Sequence, residues 1–239
     1  WHASEEGTPQ GGPLSPLLSN IMLSELDKEL ARRGHPFVRY ADDAMIFCKS
    51  ERAATRVKAS ITTFIEDKLF LKVNKEKTVV SYIKGVKYLG YSFDVREGRC
   101  QLCVHPKSIA KMKSRLKALT HRSSGWGDEM RKQKLKAYIR GWVNYYHLAS
   151  MKRLCLATDG WLRRRIRMCI WKAWKLPKTR IKNLMKCGIR RYDARRWGYC
   201  KGYWRVSGSP IMHVAASTGN LRKAGYPCML DSYLEWNPK

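Results

Sequence analysis

The 239 residues suffice for one large domain or two small ones, and a hydrophobic content of 44% excludes a globally disordered chain. The 48 Lys and Arg against 19 Asp and Glu leave a net charge of +29, far beyond what solubility needs, which points to a polyanionic partner. No apolar run reaches bilayer length, no signal-peptide pattern opens the chain, and the eight cysteines are scattered as in a reducing cytosol. The charge is unevenly spread. Residues 1–106 carry 16 basic and 13 acidic side chains, a net of +3, whereas residues 107–239 carry 32 and 6, a net of +26. A nearly neutral first part is thus joined to a cationic second part, with the expected boundary near Pro106.

In chain order, the Gly-rich segment Gly7-Thr8-Pro9-Gln10-Gly11-Gly12-Pro13-Leu14 leads to Ser15, which reads as a helix cap, and Pro16 suits the first turn. Leu18, Met22, Leu26 and Leu30 recur at helical spacing, and Gly34 ends the pattern. The backbone N–H groups of the segment could face phosphate, or it could be a plain loop and cap. Phe37, Val38, Tyr40, Ile46 and Phe47 favour strand and flank an Ala41-Asp42-Asp43 bend, so a hairpin with two carboxylates at its tip is expected. Adjacent acids repel and raise each other's pKa; a divalent cation removes that cost, and oxygen-only ligation suits Mg²⁺. Taken alone, the dipeptide also fits an ordinary solvated turn.

Ser50 then caps a second helix with Ala54, Val57, Ile61, Phe64 and Ile65 on its apolar stripe. Leu71–Val73, Thr78–Tyr82 and Val86–Val95 alternate as short strands, and Arg96-Glu97-Gly98-Arg99 turns into a strand over Cys100–Val104. Cys100 and Cys103, followed by His105, have a zinc-like spacing, but no second pair supplies further ligands and the strand reading is preferred. The order helix, hairpin, helix, strands predicts an α+β first domain, an antiparallel sheet with helices on one face.

From Pro106 onward the pattern is helical and basic. Ile109, Met112, Leu116 and Leu119 make one stripe; Asp128 opens a longer helix carrying Leu135, Tyr138, Ile139, Trp142, Val143 and Tyr146. Thr158 or Asp159 is expected to cap a third helix with Leu162, Ile166, Cys169, Ile170 and Ala173 inward, stopped by Pro177. Thr179–Lys186, closed by Gly188, reads as a fourth. Lys132, Lys136, Arg140, Arg163, Arg164, Arg167 and Lys172 fall largely off these stripes. A merely solvated face would mix both signs, so these residues are the candidate set for binding a polyanion, which the resemblance described next makes RNA.

The Gly7–Asn20 segment together with Tyr40-Ala41-Asp42-Asp43 resembles reverse transcriptases, most closely those encoded by group II introns. The resemblance continues through Asn74-Lys75-Glu76-Lys77-Thr78 and Lys87-Tyr88-Leu89-Gly90-Tyr91. It then takes in Arg140–Tyr146 and Trp161–Arg167, which look like the maturase-specific thumb (domain X), and Gly202–Arg205 with Leu221–Tyr226 in the C-terminal region. It implies a partial reverse-transcriptase palm over 1–106, an all-α basic thumb over 107–187, and a basic, nucleic-acid-binding C-terminal region over 188–239. Asp42 and Asp43 would be catalytic ligands of two Mg²⁺ ions. Gln10, Gly11, Tyr40, Ala41 and Lys77 would meet the nucleotide, and Leu89 and Gly90 would support the primer end. Lys77 also reads as a surface charge, and the Leu89-Gly90 stretch as a plain aromatic strand.

The implied activity is RNA-directed DNA polymerisation joined to intron RNA maturation; the alternative is an RNA-binding splicing cofactor without polymerase activity. Domain X weighs against a retron or phage-defence polymerase. The implied partners are intron RNA, an RNA template with DNA primer, dNTP and a DNA target, in the cytosol or nucleoid of a bacterium. Trp1 is not a start residue, and neither an upstream palm aspartate nor a Cys-rich endonuclease domain is seen, so a fragment inactive by itself and without second-strand cleavage is expected.

Overall fold

The computed structural model describes residues 12–237. The chain divides into two compact units, one ending at Tyr88 and one beginning at Leu89, upstream of the charge boundary at Pro106.

In the first unit, α1 (Ser15–Arg32) has Leu14 rather than Ser15 at its N-cap, with Pro16 in the first turn, and Gly34 follows its end at φ +70°. The hairpin comes next as β1 (Phe37–Tyr40) and β2 (Asp43–Ile46), antiparallel, with Tyr40 opposite Asp43 and Phe37 opposite Ile46. Helix α2 (Glu51–Asp67) is capped as expected, Ser50 accepting a hydrogen bond from the Ala53 amide. Leu26, Leu30, Ile61 and Leu69 form the core, with Leu23, Phe37, Ile46, Val57, Phe64 and Ile65 packed against it. This covers only the later half of α1: Leu18 and Met22, expected inward, are 48% and 47% exposed.

Leu71–Val73 and Thr78–Tyr82 are not strands; only β3 (Lys87–Tyr88) forms in the stretch after α2. A strand exists only as one side of a ladder, and among the described residues these segments have none. Val79 and Tyr82 stand about 70% exposed as a result.

The second unit opens with β4 (Tyr91–Arg96) and β5 (Arg99–Val104), joined by a two-residue turn with Glu97 at φ +51° and Gly98 at φ +74°. Two positive φ values match the right-handed twist of the flanking strands. Cys100 and Cys103 lie three apart on β5, an odd spacing that turns them to opposite faces. Helices follow: α3 (Pro106–Leu119), α4 (Asp128–Tyr146), α5 (Lys152–Ala173), α6 (Pro177–Lys186), α7 (Arg191–Gly198), α8 (Tyr203–Ser207), α9 (Pro210–Ala215), α10 (Thr218–Lys223) and α11 (Met229–Trp236). The stripes of α3 and α4 bury as read: Met112, Leu116, Leu119, Leu135, Ile139 and Val143 are 3% exposed or less. Pro177 opens α6 instead of only ending α5.

Helix α5 differs from expectation in an instructive way. It starts at Lys152, so Thr158 and Asp159 are interior and buried. Asp159 does cap a helix, but a distant one. Its carboxylate accepts from the amides of Met229 (2.8 Å) and Leu230 (2.9 Å) and from the Cys228 thiol (3.1 Å), the first residues of α11. An acidic side chain satisfying the orphan N–H groups at a helix start is favourable wherever it comes from. The region after residue 188 therefore shares one core with α3, α4 and α5: Val206, Met212, Leu221, Met229 and Tyr233 join the same buried cluster as Leu116, Leu135 and Ile166. Replacing Asp159 with Ala strands one buried and one partly buried amide and should cost about 2–3 kcal/mol. In thermal unfolding, Tm should fall by about 5–10 °C, with faster proteolysis after Gly225; an unchanged Tm would refute the staple.

Candidate active-site hairpin and basic helices

The tip of the β1–β2 hairpin is a two-residue turn, Ala41-Asp42, with Asp43 already in β2. Ala41 sits at φ +52°, a conformation that costs an L-residue about 1–2 kcal/mol. Such strain persists where the surroundings fix it, and here Arg39 does so. Its guanidinium donates to both carboxylate oxygens of Asp27 on α1 (2.8 and 2.6 Å), to Asn20 Oδ1 (3.0 Å) and to the Ala41 carbonyl (2.8 Å). The Asp27 carboxylate holds the Arg39 pKa above its ordinary value. Tyr88 Oη donates to the Asp43 carbonyl at 3.4 Å; burial, then the Asp43 charge, pushes the Tyr88 pKa up.

Tyr40, Ala41, Asp42 and Asp43 are all exposed, Tyr40 by 65%. Two hard oxygen donors with open positions for water or phosphate suit Mg²⁺ and not a soft metal. Among the described residues no three His, Cys, Asp or Glu side chains converge as a metal-ligating group. Lys77 is exposed, its amide donating to Asn74 Oδ1 at 3.1 Å. Gln10 and Gly11 lie outside the described residues. Leu89 and Gly90 form a turn before β4, with φ +49° and +82°. Asn20 and Tyr88 lie in motif stretches that give no sign of a bracing role, and Asp27 and Arg39 escape a reading by motif. Their one signal is an arginine inside an otherwise apolar strand.

The basic candidates scatter. Lys136 and Arg140 are exposed on α4. Lys132 is tied to Asp128 (3.1 Å) and Glu129 (3.5 Å) and lies over the Tyr226 ring. Lys172 donates to the Arg122 carbonyl (2.8 Å) and Ser123 Oγ (3.3 Å). Arg163 and Arg164 are half-buried, the latter stacked 4.1 Å over Trp204. Arg167 is buried, donating to the Ala216 carbonyl that ends α9 at 2.9 Å. Burial pulls its pKa below the ordinary value. The surface carrying Lys136 and Arg140 is thus the part of the predicted set that faces solvent; Arg167 is a structural cap, because helix-terminal carbonyls compete for guanidinium groups as phosphates do.

Residues 1–93 match the reverse transcriptase (RNA-dependent DNA polymerase) family model, and residues 109–188 match that of the group II intron maturase-specific domain. Taken together, the two matches and the similarity to a group II intron-encoded protein support a reverse transcriptase segment followed by a group II intron maturase-specific segment. Similarity to individual proteins is modest. The chain is 29% identical to Protein YkfC of Escherichia coli K12 over 38% of this chain and 33% of that protein. It is 27% identical to the group II intron-encoded protein LtrA of Lactococcus lactis subsp. cremoris over 40% of this chain and 27% of that protein. With the retron Mx65 reverse transcriptase of Myxococcus xanthus the identity is 40%, over 30% of this chain and 17% of that one. The matches thus span about a third or less of these relatives.

In this chain, Arg39→Ala should leave Asp27 half-buried without its bidentate partner and free the Ala41 carbonyl, at a cost of about 1–3 kcal/mol. Amide exchange at residues 40–43 should rise about tenfold or more; exchange equal to that of the unmutated chain would show that Arg39 does not hold the turn.

Proposed function

We propose that the protein is an RNA-directed DNA polymerase that also serves as the maturase of a mobile group II intron, working in the bacterial cytosol or nucleoid. The observation that carries this reading is the pair of exposed carboxylates, Asp42 on a braced two-residue turn and Asp43 at the start of β2, in a chain that also holds a segment matching the maturase-specific domain. Its substrates would be dNTP and a DNA primer on an RNA template, with intron RNA and a DNA target as further partners.

Two Mg²⁺ ions, when bound, would lower the pKa of the primer 3′-hydroxyl and stabilise charge on the attacking and leaving oxygens. Asp42 and Asp43 would supply the hard oxygens. Arg39 keeps them in place from behind, its own charge spent on Asp27. Tyr40, exposed beside them, would pack beneath the primer terminus or nucleotide, with Gln10 and Gly11 lining the nucleotide pocket. Lys77 would approach the triphosphate, where an ammonium can stabilise the departing charge or donate a proton. Leu89 and Gly90 would support the primer end.

In the complete protein, Asp42→Asn should lower primer extension by orders of magnitude, since it removes an interaction used in the transition state, and leave RNA affinity nearly unchanged. Near-normal extension would overturn the site. An RNA-binding parent that never extends a primer would favour the splicing-cofactor reading instead.

For the RNA surface, the double reversal Lys136→Glu with Arg140→Glu should weaken binding and reduce the slope of log K against log salt by about two. Its Tm should stay unchanged. Arg167→Glu should instead destabilise the fold by roughly 3–5 kcal/mol, because it sets a buried carboxylate against a carbonyl. Filter binding across salt, beside thermal unfolding, tests both; an unaltered salt slope in the double reversal would rule out this face.

A further inference from the structure

We propose that Tyr145 and Tyr146 of α4 are positioning residues that lock the Leu89-Gly90 turn into the shape in which it holds a primer end; this rests on the polymerase reading above. Leu89 and Gly90 both lie in the left-handed region, at φ +49° and +82°. Glycine adopts this freely, whereas leucine does so at a cost of about 1–2 kcal/mol. A strained backbone of this kind stays put only where its neighbours over-determine it.

Here they do. Tyr145 Oη donates to the Leu89 carbonyl at 2.9 Å. The Gly90 carbonyl accepts from Ser108 Oγ at 2.9 Å and from the His105 amide at 3.1 Å. Tyr91 Oη in turn donates to the Tyr145 carbonyl. The rings of Tyr91, Tyr145 and Tyr146 lie with centroids 4.7 to 6.0 Å apart, and Trp142 backs Tyr146 at 4.6 Å. A Cβ on residue 90 would clash with Tyr146 Oη, and Ser108 Oγ would lie 3.1 Å from it. Only glycine lets the backbone approach this closely.

The molecule contains its own control. The Glu97-Gly98 turn joins β4 to β5 with the same pair of positive φ values, +51° and +74°, and a Cβ on Gly98 would meet nothing within 4 Å. Closing a two-residue turn therefore needs no tyrosine clamp. The clamp on Leu89-Gly90 fixes both turn carbonyls to the helical body. A rigid turn can receive a sugar–phosphate end without first being ordered, which is where positioning gains rate and affinity.

The experiment compares primer extension by the complete protein with Tyr145→Phe, Gly90→Ala, Tyr146→Phe and the Gly90→Ala/Tyr146→Phe double variant, alongside Tm. Tyr145→Phe removes one hydroxyl and should raise the KM for primer–template about five- to tenfold, leaving the KM for dNTP and Tm unchanged. Gly90→Ala should raise it further, and Tyr146→Phe in that background should recover part of the loss by clearing the oxygen. An unchanged primer–template KM in Tyr145→Phe overturns the proposal. So does the absence of recovery in the double variant, or a rise of both KM values in step with a falling Tm. If the unmutated protein extends no primer, the polymerase reading fails; the clamp is still read from amide exchange at residues 89–91 of this chain. Tyr145→Phe should speed that exchange about tenfold relative to residues 97–99, and equal exchange overturns the clamp.

Discussion

A guanidinium group withdrawn from water must find acceptors for its N–H bonds, and in a chain with 19 acidic residues against 48 basic ones carboxylates cannot meet the demand. The second unit uses helix ends instead. Arg165 donates to Thr120 Oγ1 (2.7 Å) and to the carbonyls of Lys117 and Thr120 that close α3. Arg167 takes the end of α9, and Arg180 takes the Trp174 carbonyl after α5 together with those of Gly198 and Cys200 at the end of α7. Each pairing meets two needs, because the last turn of a helix leaves carbonyls without partners and carries a partial negative charge. Arg180 and Arg165 also lie over the Trp171 and Trp161 rings, which pack the planar group as they surround it. Short helices that could not stand alone are fixed to α5 in this way.

The hairpin follows the same logic at smaller scale. Its turn is strained at Ala41 and exposes two carboxylates, so little in the turn itself would keep one shape. Arg39 ties it to α1 through a bidentate pair with Asp27 and a bond to Asn20. A cation close to a carboxylate pair would ordinarily compete with a metal. Because this one is bound to Asp27, it braces the backbone while Asp42 and Asp43 stay open to solvent.

Charge in the second unit accordingly has two meanings. Some of it is mortar between helices, as at Arg165, Arg167 and Arg180, and some faces solvent, as at Lys136 and Arg140. Net charge attracts a polyanion at long range, but only the solvent-facing cations can release counterions from phosphate. Asp159, one of few acids after residue 106, likewise has an internal task, anchoring α11 to α5.

The sequence by itself determined what depends on neighbours along the chain. The hairpin around Ala41-Asp42, the Ser50 cap, the Glu97-Gly98 turn and the apolar stripes of α3 and α4 are local, and each formed where the pattern put it, except that the bend closes one residue early and Asp43 joins β2. The carboxylate pair was legible for the same reason. What required a partner from far along the chain was not. Leu71–Val73 and Thr78–Tyr82 have strand composition but no ladder among the described residues, and Leu18 and Met22 have helical spacing but no cover. Arg167 has the same periodicity as its exposed neighbours, and only the end of α9, 49 residues away, decides that it is buried. Asp159 looked like the cap of its own helix and became the cap of one 70 residues downstream. Hydrogen-bond acceptors and apolar cover are supplied in three dimensions, so tertiary structure alone decides which charges are spent inside the protein and which are left for a ligand.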